Sequence, residues 1–498
     1  MAKDDNLTDF LTDVANAIRA KKGISGKINP QNFSSEIASI STGSGGGDAP
    51  TPSPSEPLFP VIGDGKTYLY ITIAEKGRMT VPLYFSQTVA NGVAIDWGDG
   101  SASQSISGTG NKNTTHVYAV PGNYVISLSP VDGCTLGLGH GSSSYCVLGS
   151  TNNNGKVYCN MLQGVEIGDN VTSIGNYAFQ YCYSLASVVI PEGVTSIGTY
   201  AFYYCYSLAS VVIPRSVTSI GASAFYYCYS LASVVIPEGV TSISANTFYY
   251  CYSLASVVIP ESVTSIGGNA FYYCHSLASV VIPRSVTSIG ASAFKWCESL
   301  ASVVIPEGVT SIGNYAFEEC HSLASVVIPE SVTSIGSYAF YKCYSLASVV
   351  IPRSVTSIGT YAFYYCCSLA SIVIPEGMTS IKDNVFSSCY SLASVVIPES
   401  VTSIGGYAFR ECFSLASVVI PRGVTSIGSA AFYYCYGMAI YDFSQCLSVP
   451  TLAATSAFSG IPSDCKMVIP DALFDEWSTA TNWSTYASKM VKASEFNG

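Results

Sequence analysis

The sequence is poor in charged residues, and most of all in basic ones. Charged residues make up 11% of the 498 positions, and 21 Lys and Arg stand against 32 Asp and Glu, which gives a net charge of −11. Lys and Arg are not concentrated in any segment, so no patch would neutralise a phosphate backbone or anionic lipid headgroups. The composition therefore argues against nucleic acid and anionic membranes as partners.

Long apolar runs are also missing. Ser, Thr, Gly and Pro interrupt every apolar stretch before it reaches the roughly 18 residues of a membrane-spanning helix. The opening residues, MAKDDNLTDF, are acidic where a signal peptide has a basic segment followed by an apolar one. We expect no membrane insertion, no signal peptide, and folding in a bacterial cytoplasm.

Histidine is scarce, with four residues, His116, His140, His275 and His321. None of them has the spacing to Cys, Asp or Glu that is typical of a metal site or of a nucleophile with its base. The segment GHGSSSYC at 139–146 lacks the G-x-S-x-G pattern of a nucleophile elbow. We expect no enzymatic activity, no cofactor and no metal.

What the sequence has in abundance is a 23-residue repeat, seen at 207–229 as SLASVVIPRSVTSIGASAFYYCY and found twelve times between about residues 169 and 436. Val211 and Ile213 are two residues apart, which predicts a strand, whereas Phe225 and Cys228 are three apart, which predicts a tight turn. A period of this length predicts a solenoid in which each coil packs on its neighbours. The predicted fold class is therefore mainly β, with a solenoid of twelve coils over 169–436.

Twelve of the 18 cysteines occupy one position of the repeat, from Cys182 to Cys435. This even spacing predicts a column of buried, reduced thiols that pack as small apolar groups. A disulfide scaffold is typical of small secreted domains instead.

The repeat pattern L-x-x-V-x-I-P-x-x-V-T-x-I-G-x-x-A-F-x-x-C resembles the BspA-like class of bacterial leucine-rich repeats. The resemblance covers more than half of the chain. It implies an interaction scaffold of the kind used for adhesion at microbial and viral surfaces, and it implies no chemistry.

Residues 58–130 alternate between apolar and polar positions in short runs separated by Gly and Pro, which predicts an antiparallel sandwich. The segments IDWGDGSASQS and THVYAVPGNYVISL resemble the polycystic-kidney-disease type of immunoglobulin-like domain, which implies a spacer. Asp96 and Asp99 are predicted to stabilise a turn, because their spacing lacks the D-x-D-x-D-G pattern of a calcium loop.

Irregular segments at 131–168 and 437–498 are predicted to cap the two ends of the solenoid. The C-terminal cap should contain a helix around DALFDEWSTA with Asp471 as its N-cap.

Residues 1–41 are predicted to form two short helices, followed by a Gly-, Pro- and Ser-rich linker at 42–57. The segment resembles the leading part of tail and baseplate proteins in phages of gut Firmicutes. This resemblance implies anchoring to a virion through other tail or baseplate proteins. Because such short helices cannot bury their apolar faces alone, we expect a homo-oligomer, with a trimer favoured.

The copies of the repeat differ in a restricted way. Pairs of closely related copies, such as VTSIGASAFYYCY at 217–229 and VTSIGASAFKWCE at 286–298, differ only in the two residues after Phe and the one after Cys. We call these three positions, taken along all coils, the aromatic stripe. Its candidate ligand-binding residues are Tyr203, Tyr204, Tyr206, Tyr226, Tyr227, Tyr229, Tyr249, Tyr250, Tyr272, Tyr273, His275, Lys295, Trp296, Glu298, Glu318, Glu319, His321, Tyr341, Lys342, Tyr364, Tyr365, Arg410 and Glu411.

Two hypotheses account for the stripe. A surface rich in Tyr, with varied residues in a fixed frame, resembles a paratope, since Tyr offers rigid contact area to proteins and sugars alike. Alternatively, the rings stabilise the rod and the substitutions are neutral, with Glu318 and Glu319 as solvated surface charges.

The sequence thus favours a phage tail-fibre or receptor-binding protein that attaches a virion to a bacterial surface glycan or protein. A BspA-type cell-surface adhesin and a ligand-free structural spacer are the alternatives.

Overall fold

The computed structural model describes residues 62–74, 79–140, 145–150 and 156–496. The predicted anchor at 1–41 and the linker at 42–57 lie outside the described residues. Among the described residues, no helix is long and apolar enough to cross a bilayer.

Seven antiparallel strands between residues 67 and 138 form two sheets. The strands are β1 Thr67–Ile73, β2 Thr80–Gln87, β3 Val93–Asp96, β4 Gln104–Ser105, β5 Gly110–Val117, β6 Gly122–Pro130 and β7 Leu136–Leu138. Apolar side chains of both sheets, among them Leu69, Phe85, Trp97 and Leu128, are fully buried, as the alternating sequence predicts. The strand order is β1–β6–β3–β4 in the first sheet and β5–β2–β7 in the second. Membership of the immunoglobulin-like class stays a prediction.

The turn that follows β3 is held by its two aspartates. Asp96 Oδ1 accepts the backbone N–H of Gly98 at 2.9 Å, and Asp99 Oδ1 accepts that of Ser101 at 3.0 Å. Asp99 Oδ2 lies 2.7 Å from Nε2 of His116. Hydrogen bonds from Ser101 and His116 lower the pKa of Asp99 to about 2. The predicted turn-stabilising role of both aspartates is confirmed.

A single sheet runs from the sandwich into the solenoid. The connecting segment contains β8 Tyr145–Cys146, β9 Gly149–Ser150, the short helix α1 Lys156–Cys159 and β10 Leu162–Glu166. Strand β10 pairs antiparallel with β1 on one side and parallel with Ser187–Val189, in the solenoid, on the other. The sandwich therefore covers the first coil with paired backbone rather than with a loose lid.

Cys146 and Cys159, in this connecting segment, are joined by a disulfide. The prediction of reduced thiols concerned the repeat cysteines from Cys182 to Cys435, and both residues of this pair lie outside the repeat. The other sixteen cysteines are free.

Most coils of the solenoid contribute one short strand to each of two parallel ladders, but the coil that contains residues 279–281 has no strand in the first ladder. The ladders are in register, with Val211 beside Val188 and Ile220 beside Ile197. The first ladder contains Ser187–Val189, Ser210–Val212, Ser233–Val235, Ser256–Val258, Ser302–Val304, Ser325–Val327, Ser348–Val350, Ser371–Val373, Ser394–Val396 and Ser417–Val419. The second ladder contains Ser173–Ile174, Ser196–Ile197, Ser219–Ile220, Ser242–Ile243, Ser265–Ile266, Ser288–Ile289, Ser311–Ile312, Ser334–Ile335, Ser357–Ile358, Ser380–Ile381, Ser403–Ile404 and Ser426–Ile427. The predicted solenoid is confirmed.

The interior of the solenoid consists of columns of identical side chains. Phe rings of consecutive coils, from Phe179 to Phe432, stack with centroids 5.2 to 5.6 Å apart and are 0 to 1% exposed. The repeat cysteines beside them are 0% exposed. The predicted burial of Phe and Cys is confirmed.

Beyond residue 436 the ladders continue although the repeat does not. The first ladder adds Ile440–Asp442, Lys466–Ile469 and Met490–Lys492, and the second adds Thr451–Leu452. Helix α2, Phe474–Thr479, and the 3₁₀ helices Thr455–Phe458, Asp471–Leu473, Trp483–Lys489 and Ala493–Glu495 complete this end. Trp477 and Trp483 are buried there against Phe443.

The predicted N-cap of the C-terminal helix is wrong. Asp471 lies in a 3₁₀ turn, and α2 begins three residues later, at Phe474, without a side-chain cap. The Asp471 carboxylate instead accepts the backbone N–H of Ser494 at 3.0 Å. The long-range contact therefore outweighs the local signal for a cap.

Candidate binding surface

The aromatic stripe is built on the turn that contains the Phe and Cys of each coil. Within a turn, the Cys228 N–H donates to the Phe225 carbonyl at 3.2 Å. Between coils, the Phe202 N–H donates to Ala224 at 2.8 Å and the Tyr204 N–H to Tyr226 at 2.9 Å. Because Phe and Cys point inward from this turn, the residues between and after them lie at its surface.

The turn holds two residues per coil in the left-handed region, which sequence reasoning missed. One is the residue before Cys, such as Tyr227 at φ 63°, and the other is the residue two positions before Phe, such as Ser223 at φ 55°. Non-glycine residues adopt this conformation rarely, and Asn does so more readily than most. Asn246, Asn269 and Asn384 at the second of these positions are the signal from which the conformation could have been read.

Rings of the stripe stack from coil to coil in its first half, which we call the aromatic segment (the stripe residues of 181–273, with Trp296). The residues before Cys form one continuous column, from Tyr181 to Trp296, with centroids 4.4 to 5.4 Å apart. The residues after Cys stack likewise, with Tyr206 and Tyr229 4.7 Å apart. The structure therefore brings the predicted tyrosines together into a sheet of rings.

These rings are half-buried rather than fully outward, because each lies against its neighbours in the next coil. Burial raises the pKa of Tyr229, and likewise that of Tyr272, to about 12. Both hydroxyls therefore stay protonated at neutral pH and offer a donor and an acceptor at the edge of an apolar ring.

The varied residues in the middle of the stripe form what we call the charged cluster: His275, Lys295, Glu298, Glu318, Glu319, His321 and Lys342. Lys295 Nζ lies 2.8 Å from Glu318 Oε2, and Lys342 Nζ lies 2.7 Å from Glu319 Oε1. Each pair joins consecutive coils. Charged substitutions that look independent in the sequence therefore form ion pairs of opposite charge between neighbouring coils.

Histidines extend the charged cluster along the stripe. Glu319 Oε2 lies 2.7 Å from His321 Nε2. Glu298 lies between two histidines: its Oε1 is 4.0 Å from His321 Nδ1, and its Oε2 is 3.4 Å from His275 Nδ1. Trp296 contacts the ring of His321, with centroids 6.0 Å apart. The cluster thus continues from the last ring of the aromatic segment.

The prediction that Glu318 and Glu319 are solvated is wrong. Their side chains are 11% and 5% exposed, and the ammonium groups of Lys295 and Lys342 in adjacent coils lie against their carboxylates. Burial raises the pKa of Glu318, against the lowering effect of Lys295.

Further along the stripe, rings and charges alternate. Tyr341 and Tyr364 stack at 5.3 Å, and Tyr365 contacts Tyr364 edge-on at 4.7 Å. Arg410 Nη2 lies 2.6 Å from Glu411 Oε1, and the hydroxyl of Ser388 donates to Glu411 Oε2 at 3.0 Å. All the predicted stripe residues therefore lie along one side of the turns, although they differ in burial.

The repeat cysteines were predicted to pack as small apolar groups, but their thiols also donate hydrogen bonds. Each thiol of the column from Cys205 to Cys435 donates to a Phe carbonyl in a preceding coil, for example Cys228 to Phe202 at 3.4 Å. Burial raises the pKa of these thiols, for Cys435 to about 12, so they keep the proton that they donate. Across the described ranges, no group of three or more His, Cys, Asp or Glu could hold a metal ion.

Comparison with known proteins places these features in a family. The model of the BspA type leucine-rich repeat region matches residues 153–278, 264–393, 310–439 and 379–473, which together cover more than half of the chain. No curated protein matches the chain significantly.

Solved structures of leucine-rich repeat proteins are also similar. A leucine-rich repeat protein from Bacteroides ovatus is 26% identical with a TM-score of 0.43, over 66% of this chain and 94% of the other. A leucine-rich cell surface protein from Faecalibacterium prausnitzii is 29% identical with a TM-score of 0.37, over 66% and 83%. A leucine-rich repeat protein from T. pallidum is 32% identical with a TM-score of 0.32, over 42% and 83%.

The repeat pattern, the two parallel ladders and the match to the family model agree, and this chain belongs to the BspA-type leucine-rich repeat family.

Proposed function

We propose that this chain is a non-enzymatic attachment protein that binds a surface glycan or protein through its aromatic stripe. The observation that carries the proposal is the run of stacked, half-buried rings from Tyr181 to Trp296, bordered by the charged cluster. Rings already fixed by their neighbours lose little conformational entropy when a ligand covers them. Their hydroxyls supply hydrogen bonds at the edges.

We propose that the protein is a phage tail fibre. Residues 1–41 would anchor it to the tail, and it would assemble as a trimer in a bacterial cytoplasm. The resemblance of that segment to tail and baseplate proteins supports this proposal. A mass by light scattering equal to one chain would count against the trimer.

A bacterial cell-surface adhesin is the second candidate. Membership of the BspA-type family favours it, as does the Cys146–Cys159 disulfide, because disulfides persist mainly in oxidising compartments. Labelling with an antibody against residues 156–496 separates the two: decorated virions support the tail fibre, and decorated washed cells support the adhesin.

Binding by the stripe is tested with the variant Tyr226→Ser, Tyr227→Ser, Trp296→Ser, Tyr364→Ser in the full chain. The coil with Ser387 and Ser388 naturally carries serine at both positions after Phe, and Ser388 adopts the same left-handed conformation at φ 59°. The variant should therefore fold. We expect attachment to intact gut bacteria, or retention on a protein and glycan array, to fall at least about tenfold, since each lost ring contact contributes up to about 1.5 kcal/mol.

The matched control replaces exposed residues on another face of two of the same coils, Val212→Ser and Val281→Ser, which are 52% and 49% exposed. This control should bind like the original chain. Equal binding by the stripe variant, with an unchanged circular dichroism spectrum, would contradict the proposal.

A further inference from the structure

Away from the aromatic stripe, the second ladder carries a groove with a volume of about 480 Å³. It crosses the coils that contain Ser380–Ile381, Ser403–Ile404 and Ser426–Ile427. This volume lies within the roughly 300 to 1,000 Å³ of small-molecule sites. Its lining runs across successive coils, from Thr360 to Ala453, so it suits an extended ligand rather than a compact one.

The groove exists because the repeat changes there. Most coils continue Ile-Gly with a small or polar residue, but one coil has Lys382 and Asp383 after its Ile, and the next has Gly405 and Gly406. The side chains of Lys382 and Asp383 form one wall of the groove, and Gly405 and Gly406, which have no side chains, form its floor. Gly267 and Gly268 form the same kind of floor in another coil. In the coil before that one, the positions of Lys382 and Asp383 are occupied by Ser244 and Ala245, which are too small to form such a wall.

The walls of the groove present hydroxyl, ammonium and carboxylate groups. Lys382 Nζ donates one hydrogen bond, to Ser357 Oγ at 3.2 Å, of the three that an ammonium can give. Asp383 Oδ1 accepts the N–H of Gly406 at 2.7 Å, which fixes the carboxylate over the floor. Within the described part of the chain, the hydroxyls of Ser403 and Ser426 have no hydrogen-bond partner.

Other ligand classes fit the groove poorly. The main chain of the ladder is already paired between coils, for example Gly405 N–H to Ile381 and Gly428 N–H to Ile404, so a peptide strand finds no free edge there. Ile381 and Ile404 are 2% exposed, so they offer a lipid chain little apolar surface. One lysine beside one aspartate offers no net charge to a polyanion.

We propose that this groove binds a short, unbranched, neutral oligosaccharide. Rows of serine hydroxyls repeat once per coil, at the roughly 4.8 Å spacing of paired strands, which is comparable to the length of one sugar ring. Successive sugars would exchange hydrogen bonds with Ser380, Ser403 and Ser426, while Lys382 and Asp383 fix the register. The site is separate from the aromatic stripe and does not depend on it.

The test uses the full chain and an array of short neutral, uronic-acid-containing and phosphorylated oligosaccharides, followed by calorimetric titration with the oligosaccharide that binds most tightly. Gly406→Thr should fill the floor and lower the affinity at least about tenfold, because bound sugars must shift from their hydrogen bonds. The double variant Ser403→Ala, Ser426→Ala should lower it by a similar factor. Thr199 and Thr360 occupy the position of Gly406 in other coils, so the fold accepts this residue.

The matched control is Gly268→Thr. A Cβ at Gly268 meets Ala291 O at 3.4 Å and one at Gly406 meets Ser429 O at 3.3 Å, so the closest contact is similar, while Gly406 alone also has Asp383 Oδ1 at 3.7 Å. The control should bind like the original chain, and so should the stripe variant with four serines. The proposal is overturned if no neutral oligosaccharide binds, if only acidic ones bind, or if Gly406→Thr binds unchanged. Loss of sugar binding in the stripe variant alone would assign the sugar to the stripe and overturn the groove.

Discussion

The aromatic segment and the charged cluster occupy the same positions of one solenoid, yet they join consecutive coils by different forces. In the first, rings such as Tyr204 and Tyr227 stack 4.6 Å apart. In the second, Lys342 reaches back to Glu319 at 2.7 Å. Because coils stack in register, a residue always meets its counterpart one repeat away. Identical neighbours suit tyrosine, whereas charged residues require a partner of opposite sign in the next coil.

The largest expected effect tests whether both regions share one core. Phe248→Ala lies under the aromatic segment, and Phe317→Ala lies under the charged cluster. Each removes a ring stacked in the same column, and each should lower the free energy of unfolding in urea by about 3 to 5 kcal/mol. A much smaller loss for Phe317→Ala would show that the core under the charged cluster is packed differently.

Charge reversal should distinguish the two regions. Lys295→Glu places a second carboxylate beside the buried Glu318, and we expect a loss of about 2 to 3 kcal/mol, below the roughly 3 to 5 kcal/mol of a fully buried pair. The double variant Lys295→Glu, Glu318→Lys should recover most of the loss. Failure of the swap to recover stability would mean that packing, not charge, sets the cost.

Replacing a repeat cysteine should lower the free energy of unfolding by the same amount in both regions. Cys228→Ala and Cys320→Ala each remove a hydrogen bond to a Phe carbonyl and leave a small void, so each should cost about 1 to 2 kcal/mol in urea unfolding. Cys→Ser, which keeps a donor, is the control for the hydrogen bond alone. Unequal losses at Cys228 and Cys320 would argue against a uniform column.

The smallest expected effect is a pH dependence of the free energy of unfolding, which should come from the charged cluster and not from the aromatic segment. Burial raises the pKa of Glu318 above its usual 4.5, so the folded chain takes up this proton at a higher pH than the unfolded chain. The contribution of Glu318 to the free energy of unfolding should therefore rise as the pH falls from neutral towards 4.5.

Glu318→Gln should abolish this rise, and Tyr226→Ser should leave it unchanged. Asp99 behaves in the opposite sense, because its pKa is lowered to about 2 and its contribution is lost as the pH falls from 3.8 towards that value. The two windows are separate, so a stability profile against pH resolves both. A profile of Glu318→Gln identical to that of the original chain would contradict the assignment.

The repeat made most of the fold predictable. The spacing of Val211, Ile213, Phe225 and Cys228 indicated which side chains point inward, and the structure buries all four. Outside the repeat, local signals were less reliable: Asp471 had the composition of a helix cap, but it accepts a hydrogen bond from Ser494 instead. The continuous sheet from β1 through β10 was also not predicted, because it joins residues that are far apart in sequence.

The candidate site was predicted in position but not in physical character. Comparison of related copies located the varied residues, and the structure lines them up along the turns. In the sequence, Lys295 and Glu318 are separate substitutions in different coils, although 2.8 Å separates their charged groups in the structure. The groove at Lys382 and Gly406 was not predicted, because that site combines changes in two coils.

The sequence by itself determined the solenoid, its period and its inward-facing residues, since a 23-residue repeat with fixed apolar positions can bury them only by stacking coil on coil. Only the tertiary structure decided which side chains meet across that stacking. Burial of Glu318 and Glu319, donation by the thiols and the groove beside Gly406 all depend on contacts between one coil and the next. Such contacts follow from the register of the ladders, which brings residues one whole repeat apart within hydrogen-bond distance.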